Sequence, residues 1–236
     1  MNPAVLGLPA TLSVNADLTL GLQSPYNNGS PLSQLSFGFN SRFFAFGYQF
    51  DRFEDQVGGS GIIHAHTYRF ALWGTDGRLG AGATATLYRG GDGGTAYDFG
   101  VAYRLAGALD LGAVLANVGQ PTVRGTDLRV SWRPAATFHL GRLAAVQAQA
   151  DAGNDQLRGF AFGGQLRLGT PRMPLLLNAR LDTDRDFKRQ AFTFGLTLGG
   201  ENRGAAFFTT SGDLKDGEAL SVHGVSERSN RPSRRR

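Results

Sequence analysis

The stretch Thr11–Leu20, TLSVNADLTL, alternates without a break. Leu12, Val14, Ala16, Leu18 and Leu20 are apolar, and Thr11, Ser13, Asn15, Asp17 and Thr19 between them are polar. A period of two places successive side chains on opposite faces, so this is a β-strand with one dry face and one wet face. It is also long, since strands usually run to roughly five or six residues. Alternation alone does not say which face is inside. A soluble barrel turns its apolar face inward, and a membrane barrel turns it outward.

The pattern recurs along the whole chain. QLSFGFN carries Leu35, Phe37 and Phe39 on one face, and FFAFGYQFD carries Phe44, Phe46, Tyr48 and Phe50. HTYRFALW, GAGATATLY, AYDFGVAYRL, LDLGAVLA and DLRVSWR follow, the last with Leu128, Val130 and Trp132 against Arg129, Ser131 and Arg133. AAVQAQAD, FAFGGQLRL, LLLNARLD, AFTFGLTLG, GAAFFTTS and ALSVHGV complete about fourteen strands, with no helical periodicity between them. Connections after odd strands are long, as in Gly21–Pro31, Arg52–Gly61 and Asn117–Thr126. Those after even strands are short, such as Asn40–Arg42 and Thr75–Arg78, where Asp76-Gly77 is a hairpin signal. The eighth connection, Pro134–Arg142, reads as longer and breaks the rule.

The polar residues decide which face is wet. Glycine is abundant, at 34, while lysine occurs only at Lys188 and Lys215 and glutamate only at Glu54, Glu201, Glu218 and Glu227. Surfaces in bulk water are rich in Lys and Glu. Here the polar faces hold Thr, Ser, Asn, Gln, Gly, Asp and Arg, the mixture of a confined lumen in which Arg pairs with Asp. Fourteen strands with Phe and Leu turned inward would enclose more space than side chains fill, since about eight strands already suffice for a filled barrel. Long loops at one end and short turns at the other follow the outer-membrane pattern. A closed barrel also satisfies every backbone group in lipid without a helix. The expected fold is therefore all-β, an antiparallel transmembrane β-barrel of about 14 strands in a bacterial outer membrane. Its apolar faces meet lipid, and a soluble β-sandwich is the rival.

With long loops outside, the first strand runs upward and both ends lie in the periplasm. Trp132, late in a downward strand, is expected at the periplasmic interface, and Tyr97 at the outer one. Residues 1–226 form the barrel and 227–236 a basic tail. The net charge of +5 is concentrated in that tail, in Arg228, Arg231 and Arg234–Arg236, and the rest is close to neutral. The tail reads as a linker or solvated end rather than a nucleic-acid arm. Met1 is followed at once by Asn2-Pro3-Ala4, without a basic start or apolar stretch. The chain reads either as one that stays in the cytosol or as a mature or trimmed fragment. The absence of cysteine excludes disulfides and Cys-based metal sites.

The charged residues expected to face the lumen are Asp17, Arg69, Asp98, Arg104, Arg129, Asp151, Arg167, Arg180 and Asp182. The arginines suit selection of anions or contact with lipopolysaccharide phosphates, or else internal salt bridges with Asp98, Asp151 and Asp182. His64 and His66 share a strand face without an evident third metal ligand, and His139 and His223 stand alone. No G-x-S-x-G elbow is present, and no nucleophile–base pair stands out. Gly90–Gly94 and Gly58–Gly61 are loops rather than phosphate cradles, because neither leads into a helix. The chain is read as a non-enzyme without cofactor or metal.

Two short motifs carry a family resemblance. NPAVLG, Asn2–Gly7, resembles the Asn-Pro-Ala segment before the first strand of FadL/PorV-type barrels. ANVGQP, Ala116–Pro121, resembles the Asn-Leu-Gly turn of PorV-like members, with Val118 in place of Leu. Over nearly the whole chain the pattern is also similar to the barrel region that precedes the peptidase in some SppA-like signal peptide peptidases. The resemblance implies a fourteen-stranded outer-membrane barrel, often handling hydrophobic ligands or serving secretion. The first expectation for function is an anchor or scaffold for a periplasmic partner or a following C-terminal domain. The second is a channel or transporter for small or hydrophobic solutes. Expected partners are the lipid bilayer and lipopolysaccharide, and no nucleic acid.

Overall fold

The alternation of Thr11–Leu20 is realised as the first strand of a closed antiparallel barrel. The structure, a computed structural model, describes residues 11–21, 32–41, 43–54, 61–90, 93–105, 107–123, 126–141, 143–153, 156–170, 173–199, 203–211 and 219–229. The strands are β1 (Thr11–Gly21), β2 (Leu32–Asn40), β3 (Phe44–Glu54), β4 (Ile62–Thr75), β5 (Leu79–Arg89), β6 (Gly94–Leu105) and β7 (Leu109–Val118). Two short strands, β8 (Thr122–Val123) and β9 (Thr126–Asp127), pair with each other in the connection that follows. The wall resumes with β10 (Ser131–Leu140), β11 (Ala144–Ala152), β12 (Leu157–Thr170), β13 (Met173–Asp184), β14 (Arg189–Gly199), β15 (Arg203–Ser211) and β16 (Ala219–Ser229). Each wall strand pairs with its neighbours in sequence, and β1 pairs with β16 from Thr11↔Ser229 to Gly21↔Ala219. Fourteen strands thus close on themselves, and no edge is left unpaired. The closing strand runs to Ser229, three residues past the expected end of the barrel at 226, and 230–236 lie outside the described residues.

The two faces differ as the alternation requires. Phe99 is 49% exposed on the outside, whereas Ala102 on the opposite face of the same strand is 4% exposed. Val14, Phe37, Phe70, Leu111, Phe138 and Leu166 are likewise exposed outward. The buried residues, among them Ala71, Trp73, Ala96, Thr86 and Ala161, line the inner face, where curvature crowds side chains together. Trp73 lies opposite Gly82, which in turn pairs with Gly100, so two adjoining strands leave the wall bare beside the indole.

One strand differs from expectation. The eighth wall strand covers Ser131–Leu140, not Asp127–Arg133, and runs through Pro134. Pro134 pairs with Ala113 of β7, while the β10–β11 ladder resumes at Ala135↔Gln149 in the same register as Trp132↔Ala152. A proline costs the ladder one N–H but does not end the strand, because the hydrogen bonds on either side hold the register. The connection to β11 is then only residues 141–143, so the short-turn rule holds there too. Whereas the sequence pattern puts Trp132 late in the strand at the short-turn end, the same shift moves it to the second residue of β10, at the long-loop end of the wall. Tyr97 sits near the start of β6 at that same end, as expected.

The long-loop rim is also where register slips. Bulges fall at Thr19/Leu20, Tyr97/Phe99, Asp151/Ala152 and Asp182/Thr183, all close to that end. Bulges are common at barrel rims, where they bend a strand and end its pairing. At the other end the β4–β5 turn is tight: Gly77 has φ +95°, and Asp76 Oδ1 accepts the backbone N–H of Arg78 and Leu79 at 2.8 Å each.

Candidate functional site: the lumen wall

Side chains on the inner face come from alternate positions, and antiparallel register stacks them into rows. One row runs Arg104–Asp110–Thr137–Gln147–Gly163–Arg180–Thr193 across β6 to β14. Within it Arg104 Nε lies 2.9 Å from Asp110 Oδ1 and Nη2 lies 3.3 Å from Oδ2. His139 Nε2 sits 2.9 Å from Asp110 Oδ2, so one carboxylate joins three strands. Arg180 clasps Asp182 two residues along the same strand, at 2.8–3.1 Å. Arg133 Nε is 3.2 Å from Asp151 Oδ2 without hydrogen-bond alignment, which leaves a charge contact rather than a directed bond. Gln49 holds both oxygens of Asp51, at 3.0 and 2.8 Å.

The expected lumenal residues divide accordingly. Arg104, Arg180, Asp182 and Asp151 enter ion pairs on the inner wall. Asp17 is on the inner face of β1, where Thr19 Oγ1 donates to it at 3.3 Å. Arg69 stands beside Gly47, where an added Cβ would lie 3.7 Å from the arginine's own. Arg167 is exposed on the inner face of β12. Asp98 is at the rim and accepts the backbone N–H of Asn117 at 2.8 Å. This secures the Asn117–Gln120 turn, in which Asn117 (φ 60°), Gly119 (φ 102°) and Gln120 (φ 46°) all take left-handed conformations. A Cβ on Gly119 would strike the Thr95 carbonyl, so only glycine fits there. Arg129 is a correction: it lies in the connection before β10, where its carbonyl accepts from Asn117 Nδ2, and not on a wall strand. His139 is another, because it does not stand alone. The contacts of Arg133 with Asp151 and of His139 with Asp110 depend on where the eighth strand begins, whereas Asp110 meets Arg104 through the register of the β6–β7 hairpin.

Beside the row lies a concavity of about 290 Å³, lined by Thr137, His139, Gln147, Gln165, Asn178 and Arg180 around Gly163. The three amides and Thr137 make no side-chain hydrogen bond to another described residue, so their donors and acceptors are available to solvent or solute. With strands about 4.8 Å apart and tilted about 40°, fourteen strands define a backbone cylinder of roughly 14 Å radius. Short inner residues such as Gly47, Gly82, Gly100 and Gly163 preserve that width. No group of three metal-ligating side chains occurs among the described residues. His64 and His66 are on the outer face, packed against Phe50.

No family model matches the chain, and no curated protein matches it. Solved structures do. The Pseudomonas putida toluene transporter TodX is similar at 11% identity and a TM-score of 0.56, over 96% of this chain and 90% of that one. The CymD monoaromatic hydrocarbon channel gives 12% and 0.54 over the same shares. A triple mutant of the Rhodopseudomonas blastica porin gives 6% and 0.51, over 92% of this chain and 99% of that one. The chain has the fold of a bacterial outer-membrane β-barrel, and its outward apolar belt is the membrane-facing surface.

Proposed function

We propose that the protein is an outer-membrane channel that passes small polar solutes by diffusion. One observation carries this reading: a closed fourteen-stranded wall whose outward face is apolar and whose inward face is a row of Arg, Asp, amide and hydroxyl groups. Small side chains on that inner face keep the passage wide, and neighbouring opposite charges keep it close to neutral. The solved structures of similar fold are channels, transporters and porins, which favours conduction over anchoring. The anchor or scaffold role for a periplasmic partner or following domain rests on the tail, most of which lies outside the described residues. The FadL/PorV-type and SppA-like resemblance likewise rests on short motifs, and Asn2–Gly7 lies outside the described residues.

Swelling of proteoliposomes in isotonic sugars tests the reading. The barrel admits monosaccharides quickly and larger oligosaccharides progressively more slowly. Proteoliposomes that hold folded barrel yet swell no faster than empty ones would refute it.

A further inference from the structure

Among the described residues, the outward faces of β1, β2, β6, β7, β10 and β11 carry no charged side chain, but those of β3, β4 and β5 carry four basic ones together. Arg52 pairs with His64, and His66 pairs with Arg89, on the same face as Phe46, Tyr48 and Phe70. All four lie at the long-loop ends: Arg52 is two residues from the end of β3, His64 two from the start of β4, and Arg89 ends β5. Aromatic rings fix the imidazoles there. The Phe50 ring centroid is 5.6 Å from that of His64 and 5.5 Å from that of His66, and Tyr48 Oη is 2.8 Å from His66 Nδ1. That contact leaves His66 Nε2 uncommitted. Arg52 Nε is buried without a hydrogen-bond partner, and Arg89 Nη1 donates only to the neighbouring carbonyl of Tyr88 at 2.7 Å.

A charge on the lipid side destabilises a barrel near the midplane but is tolerated at the interface, where it meets headgroups. Basic clusters there attract anionic lipid, and guanidinium matches phosphate in a bidentate fashion. Glu54, opposite Ile62, stands one rung further toward the loop than Arg52. We propose that Arg52, His64, His66 and Arg89 form an external site for the phosphate group of an anionic lipid in the leaflet bordering the long loops. The inference is independent of conduction and needs only the barrel's orientation in lipid.

Native mass spectrometry of the detergent-solubilised barrel tests it, with diphosphorylated lipid A, phosphatidylcholine and inorganic phosphate as probes. The wild type is expected to retain lipid A at least tenfold more than phosphatidylcholine, and R52Q/R89Q to lose that preference while keeping heat-modifiable mobility. Should R52Q/R89Q fail to fold, H64Q/H66Q carries the test, with a several-fold loss expected. Equal retention of lipid A by a folded variant, or equal retention of phosphatidylcholine by the wild type, overturns the site. Displacement of lipid A by low-millimolar phosphate overturns the lipid assignment in favour of a free-ion site.

Discussion

Arg104 and Asp110 face each other across the β6–β7 ladder in a two-pronged ion pair, with His139 of β10 on the same carboxylate. The pair is half in water, since the arginine side chain is 45% exposed and the aspartate 22%. Its worth to stability is therefore less than about 1 kcal/mol, and its larger effect is on the field inside the lumen. Asp110→Asn leaves Arg104 uncompensated, so the reversal potential in a KCl gradient should shift toward anion selectivity. A shift toward cations would contradict the lumenal placement.

The face assignment gives a contrast in stability. Phe46→Arg, Phe99→Arg or Leu196→Arg puts a cation into lipid and should cost roughly 2–4 kcal/mol near the midplane. Thr193→Arg, on the inner row opposite Arg180, should cost far less. Urea titrations of folding into lipid vesicles read the difference, and equal costs would reverse the faces.

Asp76 offers a pH signature outside the membrane. The backbone N–H groups of Leu79 and Arg78 hold its carboxyl below the ordinary value of 3.8. A depressed folded pKa contributes stability above the unfolded value, and that contribution is lost as pH falls through the folded one. The stability difference between wild type and Asp76→Asn should thus be full at neutral pH and fade only below pH 3.8. A difference that persists unchanged to lower pH would argue against the turn bonds as its source.

Trp132 reports depth. At the start of β10 and 48% exposed, it belongs at the interface on the long-loop side. In a Trp73→Phe background, lipids brominated near the headgroup should quench it more than those brominated at the chain ends. Stronger quenching from the midplane would place the strand ends wrongly.

The wall was legible because lipid on one side and water on the other write a period of two into every strand; Leu12–Leu20 and Phe192–Leu198 show it plainly. Pro134 hid the eighth strand, since a proline suggests a break when the strand around it is read in isolation. Its neighbours β7 and β11 supply the hydrogen bonds that hold it, and no local pattern records them. Arg129 was misplaced by the same displaced boundary. The Asp110–His139 contact spans 29 residues and exists only because two ladders fix the register of three strands. Single charges are readable as facing inward, but partners across strands are not readable until the register is known.

Single-channel recording in planar bilayers tests the central claim most directly. The account predicts discrete insertion steps with an ohmic conductance that rises with salt concentration, as expected for a wide, nearly neutral, water-filled lumen. Folded barrel that inserts into the bilayer but passes no current at any salt concentration would contradict it.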